Sequence, residues 1–105
     1  MKVLAIDKVS PDATPERVRE LFMKEVHHTI KMYLADIVRE IYFREDRSGT
    51  VLMLEVPSLD EARKLIDTLP MVKDGLLEYD LIPLGPFMPL ALLVRDDEEP
   101  EAKTQ

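Results

Sequence analysis

The chain has no cysteine and no tryptophan, and only three glycines among its 105 residues. Without cysteine there are no disulfides, thiolate metal sites or thiol nucleophiles. The glycines, at 49, 75 and 85, form no phosphate-cradling loop, and no Gly-x-Ser-x-Gly elbow is present. Lysine and arginine are not clustered into the basic surface that phosphate neutralisation needs, so no nucleic-acid partner is expected. No apolar run approaches the roughly 18 residues that span a bilayer, so no membrane partner is expected either. The opening Met1-Lys2-Val3-Leu4-Ala5-Ile6-Asp7 is too short for a signal peptide and lacks a small-residue cleavage site. A cytoplasmic protein is the expectation.

Apolar residues make up 46% of the chain and charged residues 33%, a composition that folds. The length suits one domain, expected over residues 1–95. Net charge is −7, of which −4 falls in the last ten residues, DDEEPEAKTQ. Residues 96–105 are therefore expected to be an acidic, disordered tail. A domain this small buries only about two-thirds of its unfolded surface, which makes association with a second copy plausible.

The elements follow from periodicity and caps. Met1 to Lys8 predicts a strand, ended by Ser10-Pro11-Asp12. Thr14 predicts an N-cap, with Pro15 at the first helical position and Glu16 at the positive helix end. The helix runs to about Leu34. Its apolar stripe gathers Val18, Leu21, Phe22, Val26, Thr29, Met32 and Tyr33 on one face. Ile37 to Glu45 switches to period two, with Ile37, Arg39, Ile41 and Phe43 on one face and Val38, Glu40, Tyr42 and Arg44 on the other. After the turn Asp46-Arg47-Ser48-Gly49, Thr50 to Val56 returns as a hairpin strand. Ser58-Leu59-Asp60-Glu61 predicts a capping box. It opens a helix from Leu59 to about Leu69, stopped by Pro70. Leu76 to Leu84 predicts a last strand, and Pro83 near its end argues for an edge strand or a bulge.

The order β-α-β-β-α-β predicts a ferredoxin-like α+β sandwich, with both helices on one face of a four-stranded antiparallel sheet. The other sheet face would carry Val51 and Met53 with Tyr42, or Ile37, Ile41 and Phe43, depending on hairpin register. Either set is too apolar for water, so two sheets are expected to close face to face into a dimeric barrel. The apolar segment Phe87 to Val94 is expected to pack on another subunit or cover the barrel edge. Its alternative is a fifth short strand or helix on its own subunit.

Several segments carry a family resemblance. Val56-Pro57-Ser58 opens the second helix, Leu69-Pro70 closes it, and Leu81-Ile82-Pro83-Leu84 forms the last strand. Arg39-Glu40-Ile41-Tyr42-Phe43-Arg44 is followed later by Leu84-Gly85-Pro86-Phe87. In these the chain resembles the muconolactone isomerase-like branch of the dimeric α+β barrel superfamily. The resemblance implies a barrel-type oligomer with one cleft per subunit, between sheet and helix. It also implies chemistry on lactones, quinones or aromatic breakdown products, often without a metal or organic cofactor.

Candidate site residues come from position. Glu25 lies amid Val18, Leu21, Phe22 and Thr29. A desolvated carboxylate there would have a raised pKa, suited to moving a proton next to a carbonyl. His28, three residues on, can touch it. One Glu-x-x-His with two histidines in the chain is too little for a metal site, and none is expected. Arg39 could hold a ligand carboxylate, Tyr42 could donate to a carbonyl, and Met53 could wall the pocket. Glu55, Glu78 and Asp80 are acids that strand alternation could aim at the cleft. For these strand residues the alternative is a solvated edge or an intersubunit ion pair. The expected function is binding of a small apolar or carboxylate-bearing molecule, with cofactor-independent isomerase-like chemistry. The alternative is a non-catalytic oligomeric or ligand-sensing protein whose cleft is closed by Phe22, Met53 and Tyr79.

Overall fold

A computed structural model describes residues 1–95. The acidic segment 96–105 lies outside the described residues. The elements run β1 (Lys2–Val9), α1 (Pro15–Leu34), β2 (Val38–Phe43), β3 (Thr50–Glu55), α2 (Leu59–Ile66), α3 (Pro70–Lys73), β4 (Leu77–Leu84) and α4 (Pro89–Arg95). The four strands form one antiparallel sheet in the order β2-β3-β1-β4. This is the ferredoxin-like α+β fold. Pro83 sits in β4, an edge strand, where its missing N–H costs no ladder bond.

The helix ends are specified locally. Thr14 Oγ1 accepts from the Arg17 N–H at 3.2 Å, and Pro15 occupies the first turn. At the far end Ile37 N–H bonds Met32 O and Asp36 N–H bonds Tyr33 O. That is a Schellman ending, with Asp36 in the left-handed position at φ 65° where glycine is usual. Ser58 Oγ accepts from the Glu61 N–H at 3.1 Å. The expected return bond from the Glu61 carboxylate is replaced by an ion pair with Lys64, at 3.7 Å. The second helix is also shorter than its periodicity predicts. It ends at Ile66, and Pro70 opens the separate four-residue α3 instead of only stopping α2.

On the covered face of the sheet, Val3, Ala5, Leu52 and Leu54 are buried beneath the helices with Ile66, Leu69 and Met32. A smaller cluster, Leu21, Met71 and Leu76, ties the first half of α1 to α3. Two expectations need correction here. A β-bulge between Val38 and Glu40 shifts the β2 register. Val38 pairs with Leu54 and Ile41 with Leu52, so both face the helices despite their odd spacing, and Tyr42 faces away with Val51. The α1 stripe is also interrupted: Leu21 and Met32 are buried, but Phe22 and Tyr33 are about half exposed. The helix is anchored at two points and stands off the sheet between them.

The uncovered face carries Leu4, Ile6, Val51 and Met53 with Tyr42, Ile82 and Leu84. Beyond the sheet, residues 89–95 form α4, whose Leu90, Leu92, Leu93 and Val94 are all exposed. Replacing Ser58 by Ala should lower stability by about 1 kcal/mol by removing the cap of α2. Urea unfolding should show a lower midpoint at unchanged slope.

Candidate functional site

The stand-off of α1 leaves an open cavity of about 540 Å³ between helix and sheet, a volume suited to a small ligand. Its walls are mostly apolar. Val18, Phe22, Val26 and Ile30 come from α1, Ile41 and Phe43 from β2, and Leu77 from β4. Ionisable side chains enter from three elements: Asp7 from β1, Glu25 from α1 and Tyr79 from β4. Among the described residues, no Lys, Arg or His lines it.

Asp7 is there because β1 alternates. Residues 3, 5 and 7 share the covered face, and Asp7 is only 3% exposed. Its Oδ1 is buried and takes no hydrogen bond, an omission that costs about 1–3 kcal/mol. Burial pushes the Asp7 carboxyl up, opposed by Thr50 and by the Arg47 and Arg44 charges. Gly49 makes the close packing possible. Its φ is 155°, and a Cβ there would meet Asp7 Oδ1 at 2.6 Å. Arg47 holds the hairpin against β1 by donating to Asp7 O at 2.9 Å and to Ser48 O at 2.7 Å.

Glu25 faces the sheet from the middle of α1, about 40° around the helix from Leu21. Its Oε1 accepts from the Met71 N–H at 2.9 Å. That N–H is in the first turn of α3, whose N-cap Leu69 provides no side-chain acceptor. Burial pushes the Glu25 carboxyl up, the Met71 bond opposes it, and the nearby Asp7 charge adds to the rise. Tyr79 is 5% exposed. Burial pushes its phenol up, and the charges of Asp7 and Glu25 push in the same direction. The three groups thus sense one another across a mostly apolar space.

The other site residues expected from sequence do not line this cavity. His28 Nε2 lies 2.8 Å from Thr68 Oγ1. The Thr68 hydroxyl already donates to Leu65 O, so His28 is the donor, and it ties α1 to the segment after α2. Burial holds the imidazole below its usual range, helped by Lys31 and Lys73. Arg39 sits at the bulge, 3.7 Å from Asp36. Tyr42 is on the uncovered face, where its hydroxyl donates to Glu40 at 2.9 Å. Met53 shares that face beside Leu4. Glu55 pairs with the N-terminal amine at 2.8 Å and with Lys2 at 3.3 Å. Glu78 is also on that face, as is Asp80, which pairs with Lys8 at 3.4 Å. Asp7 and Tyr79 were the residues missed as polar site groups. The available signal was an acid at the third same-face position of a strand whose other two are Val3 and Ala5. Among the described residues, no group of three His, Asp or Glu is placed to hold a metal ion.

No family model matches the chain, and no curated protein matches it. Among solved structures it is similar to the 5-chloro-2-hydroxyhydroquinone dehydrochlorinase of Burkholderia phenoliruptrix AC1100, in complex with 2,5-dihydroxybenzoquinone. The TM-score is 0.66 at 16% identity, over 81% of this chain and 94% of that one. The likeness shows the fold alone, the ferredoxin-like α+β sandwich described above. No described helix is long and apolar enough to cross a membrane.

Asp7 gives a pH signature. Its pKa is raised in the folded state, so its protonated form contributes stability at low pH. That contribution is lost as pH rises through the raised value. Asp7→Asn removes the titration. The variant should come closest to wild type near pH 4, gain on it as pH rises from the unfolded value of 3.8 to the raised folded value, and then hold a constant lead, read as urea midpoints. A difference constant over the whole range would rule out a buried, unpaired acid.

Proposed function

We propose that the cavity binds a small, largely apolar ring metabolite, such as a lactone or an aromatic-derived compound, and moves a proton on it. The observation that carries this reading is an open cavity of 540 Å³ with apolar walls and three ionisable groups, Asp7, Glu25 and Tyr79. Burial raises the carboxyls of Asp7 and Glu25 toward neutral pH, where a general acid or base works best. In the simplest reaction one carboxylate removes a proton from the carbon next to a carbonyl. The same carboxyl returns it elsewhere on the enolate. Atoms and charge balance without an oxidant or organic cofactor. The neighbour of like fold acts on a hydroxylated ring, which supports this class of ligand.

A second reading rests on the Met71 N–H bond to Glu25. On that reading Glu25 is a structural acceptor that anchors α3. Glu25→Gln separates the two, because an amide oxygen still accepts the bond but the amide cannot carry the proton. The test is deuterium uptake from D₂O into an enol lactone such as α-angelica lactone, followed by proton NMR. Wild type should catalyse exchange, and Glu25→Gln should lose about 100-fold or more with its fold intact. Unchanged exchange in the variant would leave Glu25 with the structural role alone.

The uncovered sheet face supports self-association. Its apolar centre of Leu4, Ile6, Val51 and Met53 is flanked by Tyr42, Ile82 and Leu84, a continuous surface that a monomer would leave wet. The leucines of α4, Leu90, Leu92 and Leu93, are exposed as well. Light scattering at micromolar concentration should give a dimer or a multiple of dimers. Removing residues 87–105 should reduce assembly size or solubility, whereas removing 96–105 alone should do neither. A monomeric full chain would defeat the barrel arrangement.

A further inference from the structure

We infer that the cavity selects an uncharged ring bearing hydroxyl groups, held by donation to Asp7 and Glu25, and discriminates against ligands that carry a carboxylate. The inference rests on the cavity-binding reading above and specifies its ligand.

The polar end of the cavity is rich in acceptors. Asp7 Oδ1 is fully buried, faces the Cα of Gly49 and takes no hydrogen bond. Glu25 Oε1 is taken by Met71, and its second oxygen receives no donor from a described residue. Asp7 Oδ1 is closed to a ligand, but Asp7 lines the cavity, and a ligand hydroxyl would donate to the other oxygen of its carboxylate. A second hydroxyl on the same ring could reach Glu25. Most of the remaining wall, including Phe22, Ile41 and Leu77, offers apolar contact to the ring itself, and Thr29, Ser48, Thr50 and Tyr79 add hydroxyls.

A carboxylate has no donor to give. It would enter a space that already holds two acids and is too dry to hydrate it. Positive charge close by is already engaged. Both contacting nitrogens of Arg44 are on the Asp46 carboxylate, at 2.8 and 2.6 Å. Arg47 donates to the backbone carbonyls of Asp7 and Ser48. Arg39, the residue best suited by sequence to hold a carboxylate, is at the β2 bulge beside Asp36.

The test is a titration of the full chain at pH 7.5 with three probes of one ring size: resorcinol, 1,3-dimethoxybenzene and benzoate. Binding is read from backbone amide shifts. Resorcinol should move the amides around Asp7, Glu25 and Tyr79 and bind at least tenfold more tightly than either other probe. Dimethoxybenzene has the same substitution without donors, so it separates hydroxyl recognition from ring burial. Asp7→Asn, close in shape to wild type, should narrow the resorcinol-to-benzoate ratio by about tenfold. Benzoate or dimethoxybenzene binding in the cavity as tightly as resorcinol would overturn this inference and leave the binding reading standing. Shifts confined to the uncovered face around Leu4 and Met53, or none with any probe, would overturn both.

Discussion

The alternation of β1 is the constraint on which the rest depends. It is an interior strand, hydrogen-bonded to β3 on one side and β4 on the other, so its register is held from both edges. Because side chains alternate strictly, burying Val3 and Ala5 commits residue 7 to the same face. A one-residue slip would expose the central core and bury Lys2, Leu4, Ile6 and Lys8 in its place. The core therefore holds Asp7 under the helices, although an unpaired acid there opposes folding. Gly49 then follows as the residue that the neighbouring turn can place against that carboxylate.

Helix α1 closes the cavity without filling it. Leu21 and Met32 are about three turns apart on one side of the helix, and each is buried in a different cluster. Glu25 lies between these anchors, where a larger apolar side chain could have packed onto the sheet. Its bond to the Met71 N–H fixes the short α3 under the helix. The hydrogen bond between His28 and Thr68 holds the next turn. The helix is thus supported at its ends and sides while its middle faces open space. That arrangement lowers the local packing density, a cost that a well-folded domain carries where a ligand is to be received.

The two faces of the sheet divide the labour. One face is covered by helices and bears the cavity. The other carries an apolar centre with charged residues around it: Lys2, Lys8, Glu55, Glu78 and Asp80. Several of these charges already pair within the chain, as Glu55 does with Lys2 and the N-terminal amine. Exposed pairs of this kind add little stability. They border the apolar centre and leave its aliphatic and aromatic side chains available for contact.

Most of the architecture was legible in the chain before any coordinates. Thr14-Pro15 and Ser58 mark helix starts, because a capping oxygen and a pre-set φ act within one turn. The switch from helical to period-two patterning at Ile37 marks the hairpin. Glu25 was legible as an acid among apolar stripe residues. Other features depended on contacts between distant segments. The bulge at Arg39 changes which β2 residues share a face, and it is set by pairing with β3. The division of α2 from α3 arises where Leu69 must enter the core while Pro70 starts a new turn. Arg39, Tyr42, Met53 and Glu55 have side chains of suitable chemistry, but sheet register decides which face they meet. Local sequence thus determined the elements, their caps and the presence of a desolvated acid, since those follow from interactions a few residues long. Only the tertiary structure decided that Asp7, Glu25 and Tyr79 share one cavity, since that depends on strand register and on where α1 leaves the sheet.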